Sequence, residues 1–304
     1  MSVSVIVPTY NGATKLPNLL AALEKQLFTD FEVIIVSDGS TDNTADVVKQ
    51  YKSSLQIQFI HQENKGRSAT RNKGTAIAKN ELLVFFDDDM RPLPNCLEEH
   101  VKHHQQFPNC IVTGGLKEEI TSTSTELFRY KSYLSSKWLV PLNDFATTPL
   151  SRDQIFVTTA NFSIEKSLFN SIGGFEERLT DAEDYEFAVR AYKMNISLYF
   201  NNKAFAWHDD TITTVSYIIR QRQYAIAQAK LFTIHSDWLN EGFIKSPYKP
   251  TGTKATFFKS FCSKAWINSI DNNSLKWLPQ SIKYRLYDYI ITANGVFFPQ
   301  IVDL

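Results

Sequence analysis

The sequence predicts an α/β fold with a mostly parallel central sheet, helices on both of its faces, and a mainly helical C-terminal extension. Four short, mostly apolar runs recur along the first third of the chain, at Val3–Val7, Val33–Val36, Ile57–Ile60 and Leu82–Phe86. Runs of this kind are typical of buried parallel strands. Polar clusters follow the first, second and fourth runs, where the carboxyl ends of parallel strands bind ligands.

The segments between these runs predict helices. Pro17 suits a first helical turn, and the leucines that follow have helical spacing, at Leu16, Leu19, Leu20, Leu23 and Leu27. Residues 42–51 place Val47 and Val48 on one face, and residues 68–79 are rich in good helix formers. The order β-α-β-α-β-α-β therefore predicts a parallel sheet covered by helices.

Beyond the fourth strand, further elements are predicted. In chain order they are a helix at Asn95–Phe107, a strand at Ile111–Thr113, a variable loop at Thr121–Thr125, a helix at Glu165–Ser171 and another ending near Met194. Gly173 and Gly174 mark the turn between the last two helices. We predict a main domain over residues 1–210 and a helical extension over residues 211–304.

Composition excludes several classes of protein. Hydrophobic residues make up 43% of the 304-residue chain, and 32 basic residues balance 32 acidic ones. This argues against disorder and against a generally basic nucleic-acid binder. The three cysteines, Cys96, Cys110 and Cys262, suit a reducing compartment better than a disulfide framework. The chain has neither an export signal nor an apolar run of about 18 residues, so we expect a cytoplasmic protein.

The acidic triplet after the fourth strand predicts a cation site. Asp87 and Asp89 are two residues apart, and on an extended strand such carboxylates point to the same side. Hard oxygen ligands of this kind suit Mg²⁺ or Mn²⁺ shared with phosphate oxygens. The alternative is a solvated acidic turn. Repulsion among three like charges at an apolar strand end favours a bound cation.

In combination, the motifs resemble those of family 2 glycosyltransferases, over roughly residues 3–210. The matching segments are Val-Ile-Val-Pro-Thr-Tyr-Asn at 5–11, Ser-Asp-Gly-Ser-Thr-Asp-Asn-Thr at 37–44, Gly-Arg-Ser-Ala-Thr-Arg-Asn-Lys-Gly at 66–74, Asp87-x-Asp89, Gly-Gly-Phe at 173–175 and Glu183-Asp184. The resemblance implies the GT-A fold, a Rossmann-like fold of nucleotide-diphospho-sugar transferases. It also implies a nucleotide-binding half at 1–114 and an acceptor-binding half at 115–210.

The same resemblance implies roles for individual residues. Asp38 would accept a hydrogen bond from the nucleotide base, and Arg71 would pack on or near that base. The whole nucleotide-sugar set is Pro8, Thr9, Tyr10, Asn11, Asp38, Arg67, Arg71, Asp87 and Asp88. The divalent metal, Mn²⁺ or Mg²⁺, would be held by Asp89 with Asp87 and His208. A lone histidine is also a common structural residue, so His208 keeps that alternative.

The acceptor side is implied by the later motifs. Asp184 would be the general base and Glu183 would orient or bind the acceptor, although acidic residues at a helix start are also common caps. Asn161 and Gly174 would contact the acceptor or the donor sugar, with a turn asparagine as the alternative for Asn161.

Two other groups of residues lie outside the motifs that resemble the family. His100, His103 and His104 are predicted to form a solvated helix face. Arg220, Arg222 and Lys230 lie on a basic amphipathic helix that either contacts anionic lipid or packs in the core.

The predicted function is a metal-dependent, inverting glycosyltransferase. It would transfer one sugar from a UDP-sugar to a saccharide or glycolipid acceptor in polysaccharide biosynthesis, with peripheral attachment at the inner membrane face left open. A sugar-nucleotide-forming nucleotidyltransferase is disfavoured because residues 8–16 contain only Gly12, and an oxidoreductase because no Gly-x-Gly-x-x-Gly opens the first helix. The remaining alternative is an inactive binding or scaffold protein of the same fold.

Overall fold

The computed structural model describes residues 1–304, apart from the side chains of residues 143 and 144. Its contacts divide the chain into two compact units. The first unit comprises Met1–Glu119 and Ser135–Asp210, and the second comprises Ile120–Leu134 and Thr211–Leu304.

The first unit contains an eight-stranded sheet. Its strands are β1 (Val3–Thr9), β2 (Phe31–Asp38), β3 (Gln56–Gln62), β4 (Leu82–Phe86), β5 (Met90–Pro92), β6 (Cys110–Lys117), β7 (Asn161–Glu165) and β8 (Ser197–His208). They lie in the order β3-β2-β1-β4-β7-β6-β8-β5. Strands β1 to β4 are mutually parallel, whereas β7 is antiparallel to β4 and β6. The predicted α/β class and the parallel start of the sheet are confirmed.

Twelve α-helices occur in the part of the chain that the structure describes. They are α1 (Leu16–Leu23), α2 (Thr44–Gln50), α3 (Arg67–Ile77), α4 (Cys96–Gln106), α5 (Glu126–Leu139), α6 (Lys166–Ile172), α7 (Glu183–Lys193), α8 (Thr214–Ile234), α9 (Asp237–Asn240), α10 (Gly252–Lys259), α11 (Lys264–Asp271) and α12 (Gln280–Thr292). Short 3₁₀ turns lie at Val140–Ala146 and Arg152–Gln154, and a π turn lies at Ala293–Phe297.

The core of the first unit lies on both faces of the sheet. Alternate residues of β1 enter different clusters, with Val5 and Val7 packing against the leucines of α1 and Ile6 packing on the other side. Four of the five predicted helical leucines are buried, but Leu27 is exposed because α1 ends at Leu23. Burial on both faces explains why β1, β2 and β4 are mostly apolar, whereas β3 at the edge of the sheet alternates polar and apolar residues.

The three histidines of α4 are buried, so the predicted solvated face is wrong. Ser163 on β7 lies between His100 Nδ1, at 2.8 Å, and His104 Nε2, at 2.9 Å. The His103 ring packs against Phe107 and Tyr199. Burial lowers the pKa of His100 and His103 to about 4 and that of His104 to about 3, so all three are neutral at pH 7.

The second unit has its own aromatic core. Ile218 of α8 packs there with Ile267, Ile270, Tyr287 and Ile290. Arg222 donates to the backbone carbonyls of Asn294 and Val302, at 3.1 and 2.9 Å, which supports the structural alternative for this residue. None of the described helices combines the length and the apolar character needed to cross a bilayer.

Candidate active site

The loops after β1 and β4 meet at the carboxyl edge of the sheet. Thr9 donates its hydroxyl hydrogen to Asp88 Oδ2, with 2.6 Å between the oxygens. A Cβ atom at Gly12 would lie 2.0 Å from Thr9 Oγ1 and 2.8 Å from Asp88 Oδ2. Any larger residue at Gly12 would therefore separate the two loops, and this contact, rather than phosphate binding, requires the glycine.

The loop after β1 is also tied to the loop after β2. Asn11 has a left-handed φ of 52° and accepts a hydrogen bond from the backbone N–H of Thr41 at 2.8 Å. Its own N–H donates to Ser40 Oγ at 3.0 Å. Between these anchors the side chain of Tyr10 is 53% exposed, and Pro8 is half-buried. Tyr10 thus presents an open aromatic face at the edge where ligands of α/β sheets bind.

Asp38 closes the loop that leads into α3. Its Oδ1 accepts from the backbone N–H of Lys65 at 2.8 Å and from Gln62 Nε2 at 2.9 Å, while Oδ2 accepts from the N–H of Gly66 at 2.9 Å. The carboxylate is only 6% exposed. Its observed role is to hold the β3–α3 loop beside β2, at the position where the sequence predicts a base contact.

Arg71 is buried rather than open to a nucleotide base. Its Nη1 donates to Glu183 Oε1 and its Nη2 donates to Asp87 Oδ1, both at 2.6 Å. Only 1% of the side chain is exposed, so its guanidinium has no free face on which a base can stack. The predicted packing on the base is therefore wrong, because two carboxylates from different loops already occupy the guanidinium.

Glu183 and Asp184 begin α7, next to this buried ion pair. Burial and the neighbouring charge of Glu183 raise the pKa of Asp184 to about 7, although its backbone hydrogen bond and Arg71 act in the opposite direction. Arg67, which is half exposed, lies 3.8 Å from Asp181 just before the helix. Asp184 is thus a carboxylate whose proton affinity suits general-base catalysis near neutral pH.

The acidic triplet does not point its first and third carboxylates at one partner. Asp87 contacts Arg71, whereas Lys15 Nζ lies 3.3 Å from Asp88 Oδ1 and 3.2 Å from Asp89 Oδ2. The two carboxylates thus contact different cations of the chain, and a shared metal site for Asp87 and Asp89 stays a prediction. Strand β4 ends at Phe86, and a turn closed by Met90 N–H to Asp87 carbonyl replaces the strand alternation.

The neighbourhood of Asp89 can accept a divalent cation. His208 Nε2 lies 3.4 Å from Asp89 Oδ1, so a carboxylate oxygen and an imidazole nitrogen face each other. Burial alone would raise the pKa of Asp89, but the contacts with His208 and Lys15 hold it well below its usual range. No group of three potential metal ligands is preassembled among the described side chains.

Asn161 and Gly174 have structural surroundings. The Asn161 amide donates to the carbonyls of Gly115 and Ala204 at 2.9 and 2.8 Å, its oxygen accepts from His100 Nε2, and the residue is fully buried. Asn161 has no exposed surface that a sugar could contact, so the predicted contact is wrong. The alternative of a turn asparagine is also wrong, because Asn161 is the first residue of β7. Gly174 has a φ of +72° after α6, and a Cβ there would press on Asn72.

Asn72 explains why two distant motifs occur together. Its Oδ1 accepts from the N–H of Phe175 at 2.9 Å, and its Nδ2 donates to the carbonyl of the same residue at 2.9 Å. This residue and Lys15 were not singled out from the sequence. Lys15 directly precedes α1 and belongs to no motif, so only its position opposite Asp88 and Asp89 reveals it.

Known proteins resemble this chain in sequence and in fold. An uncharacterized glycosyltransferase of Haemophilus influenzae is 29% identical over 258 residues, covering 78% of this chain and 82% of that protein. The validoxylamine A glucosyltransferase of Streptomyces hygroscopicus subsp. jinggangensis is 29% identical, covering 64% of this chain and 52% of that protein. The chain thus spans about half the length of this second relative.

Solved structures give the same picture of the fold. The S. aureus TarS 1–349 structure in complex with UDP has a TM-score of 0.56 at 22% identity and covers 96% of this chain and 90% of its own. The mannosyltransferase PcManGT from Pyrobaculum calidifontis, in complex with GDP-Man and Mn²⁺, has a TM-score of 0.61 at 17% identity, with coverages of 96% and 84%. The GT-A fold is confirmed.

A family model provides the assignment. The model of glycosyl transferase family 2 matches residues 4–173, which is more than half of the 304-residue chain. The matched range includes the loops after β1, β2 and β4. This chain therefore belongs to glycosyl transferase family 2 and is a glycosyltransferase.

Proposed function

We propose that this glycosyltransferase moves a single sugar from a nucleoside diphosphate sugar, UDP first among the candidates, to a hydroxyl of a saccharide or lipid-linked saccharide. The observation that carries the proposal is the buried Arg71, which pairs with Asp87 after β4 and with Glu183 at the start of α7 and so brings Asp184 to the carboxyl edge of the sheet. Burial and the charge of Glu183 also raise the pKa of Asp184. A carboxylate that accepts protons near neutral pH suits an attacking hydroxyl, and a single base suits inversion.

Asp184 would take the proton of the acceptor hydroxyl as that oxygen attacks the anomeric carbon. Glu183 is held by Arg71, and the same guanidinium holds Asp87 after β4. This arrangement fixes the distance between the loop that begins α7 and the loop that would face the donor. Positioning of this kind supports catalysis because the reacting groups must approach in a defined geometry.

Asp89 and His208 would hold the divalent metal. When bound, Mn²⁺ or Mg²⁺ would neutralise charge on the departing diphosphate. The Lys15 ammonium lies between Asp88 and Asp89, which indicates that these two carboxylates require a cation beside them. Tyr10 would contact the base through its exposed ring. We also propose that residues 1–114 bind the nucleotide, that residues 115–210 bind the acceptor, and that residues 211–304 form an extension.

The location and the pathway are further parts of the proposal. We propose a role in polysaccharide or glycolipid assembly at the cytoplasmic side of a membrane, with peripheral attachment to it. The acceptor would then be presented at that surface, and no nucleic acid is involved.

A thermal-shift panel tests the nucleotide and the metal together. UDP, GDP, CDP and TDP are each added with Mn²⁺, Mg²⁺ or a chelator, because the TarS structure holds UDP and PcManGT holds GDP-Man. Ligand at about 100 times its dissociation constant should stabilise the protein by about 2.7 kcal/mol. We expect a metal-dependent shift with UDP that is lost in Asp89→Ala. No shift with any nucleotide would instead support the inactive scaffold protein.

A further inference from the structure

A buried carboxylate lies beside the second ring nitrogen of His208. Glu118 Oε1 is 3.7 Å from His208 Nδ1, and the Glu118 side chain is only 1% exposed. Its other oxygen accepts a hydrogen bond from Ser135 Oγ at 2.8 Å. The opposite ring nitrogen, Nε2, is the one that faces Asp89 at 3.4 Å. The imidazole of His208 therefore lies between two carboxylates, with Asp89 at one ring nitrogen and Glu118 at the other.

The pairing of β6 with β8 places Glu118 beside His208. Strands β6 and β8 run parallel with Lys117 opposite Trp207, so Glu118 and His208 are the next residues along the two strands. The residues that follow are also joined, because Arg91 on β5 donates to Asp209 Oδ2 at 2.9 Å and pairs with Glu119. Glu118 thus approaches His208 from the end of a paired strand rather than from a free loop.

The chemistry of imidazole gives this contact a consequence. A neutral imidazole carries one N–H, and a carboxylate beside Nδ1 favours the proton at that nitrogen. Asp89, at 3.4 Å, attracts the proton to Nε2 in the same way, so Glu118 can decide the tautomer only when a divalent cation bound by Asp89 takes the place of that proton and uses the lone pair of Nε2. Metal-binding histidines are commonly oriented in this way by a carboxylate on the other ring nitrogen.

We propose that Glu118 is a positioning residue that selects the Nδ1–H tautomer of His208 and orients its Nε2 toward a divalent cation at Asp89. The inference rests on the proposed function. Burying a carboxylate costs free energy, whereas burying an apolar side chain of the same size does not. This cost indicates that the charge of Glu118 has a functional role beyond packing.

The first test follows the tautomer of His208 with and without Zn²⁺, a diamagnetic probe. Nitrogen-15 NMR of the histidine rings, assigned to His208 with a His208→Asn variant, reports which nitrogen carries the proton. On adding Zn²⁺ we expect the wild type to hold the proton on Nδ1, whereas Glu118→Gln, whose amide can also donate, should need more Zn²⁺ to reach that state. A wild-type His208 that keeps its proton on Nε2 at saturating Zn²⁺ would overturn the inference.

The second test measures Mn²⁺ affinity by electron paramagnetic resonance of the free ion. We expect Glu118→Gln to weaken Mn²⁺ binding about 10- to 100-fold. The matched control is Glu119→Gln, which removes the neighbouring carboxylate from an exposed pair with Arg91 and should change the affinity by no more than about twofold. Ser135→Ala, which leaves the charge of Glu118 in place, provides a second variant if Glu118→Gln does not fold.

The outcomes separate this inference from the proposed function. Equal Mn²⁺ affinity in the wild type, Glu118→Gln and Ser135→Ala would overturn the role of Glu118 alone. A wild type that transfers sugar but takes up no Mn²⁺ would overturn both the metal site and this inference, while the transfer itself would stand. Mn²⁺ binding that depends on Glu118 in a protein without transfer would support the inference and contradict the proposed function.

Discussion

The guanidinium of Arg71 donates to Glu183 at 2.6 Å and, through its other terminal nitrogen, to Asp87 at the same distance. These two carboxylates are 96 residues apart in the chain, one in the loop after β4 and the other at the start of α7. A single buried side chain therefore joins the acidic triplet to the segment that carries Asp184.

Replacing Arg71 with methionine should destabilise the protein strongly. The variant leaves Glu183 buried without its cation, and loss of one partner of a buried ion pair costs about 3–5 kcal/mol. Urea denaturation measures the change in the free energy of unfolding. Arg67→Met is the control, because Arg67 is half exposed and 3.8 Å from Asp181 and should contribute less than about 1 kcal/mol. Equal effects of the two substitutions would contradict the buried ion pair.

Asp184→Asn should remove the proposed general base without removing donor binding. The rate of UDP release from the donor sugar should fall about 10²- to 10⁴-fold, the usual contribution of positioned proton transfer. The thermal shift produced by UDP and Mn²⁺ should remain. Asp46→Asn, at an exposed acidic position on α2, serves as the matched control. Activity above a tenth of the wild type in Asp184→Asn would assign the base elsewhere.

The pH dependence of both activity and stability should report Asp184. Since its pKa is raised to about 7, kcat/KM should rise as the pH increases through 7, where the carboxylate form appears. Stability should change in the opposite direction. Between the ordinary carboxyl value of 3.8 and 7, the unfolded chain has released this proton while the folded protein keeps it, so rising pH weakens folding. Asp184→Asn should therefore be more stable than the wild type at pH 8 but not at pH 5, as measured by urea denaturation.

The buried histidines of α4 should make the protein sensitive to acid. In the unfolded chain they bind protons below about pH 6.5, whereas burial holds the pKa of His103 at about 4 in the folded protein. Stability should therefore fall as the pH drops from 6.5 to 4.

His103→Phe tests this acid sensitivity directly. His103 packs between aromatic rings, and its Nε2 has no hydrogen-bond partner, so phenylalanine should be accepted. At pH 5 the variant should gain about 1–2 kcal/mol relative to the wild type, with little difference at pH 8. An equal difference at both pH values would show that the histidine is not the titrating group.

Several residues show why part of the site could be predicted from the sequence and part could not. Asp87 is predictable from a local pattern because it directly follows an apolar strand, whereas Asp38 and Asp184 are identified through the resemblance to family 2 glycosyltransferases. The histidines of α4 were misjudged because periodicity treats histidine as polar, whereas β7 presents Ser163 as a buried polar partner. Glu118 and Lys15 belong to no motif.

The sequence by itself determined the α/β class, the parallel first four strands, the carboxyl edge that carries the loops and the family. These properties depend on hydrophobic periodicity and on short segments in which neighbouring residues act together. Only the tertiary structure decided which cation each carboxylate contacts, with Arg71 taking Asp87 and Lys15 lying between Asp88 and Asp89. The physical reason is that charge pairing depends on distances of a few ångströms between residues far apart in the chain, and packing alone sets those distances.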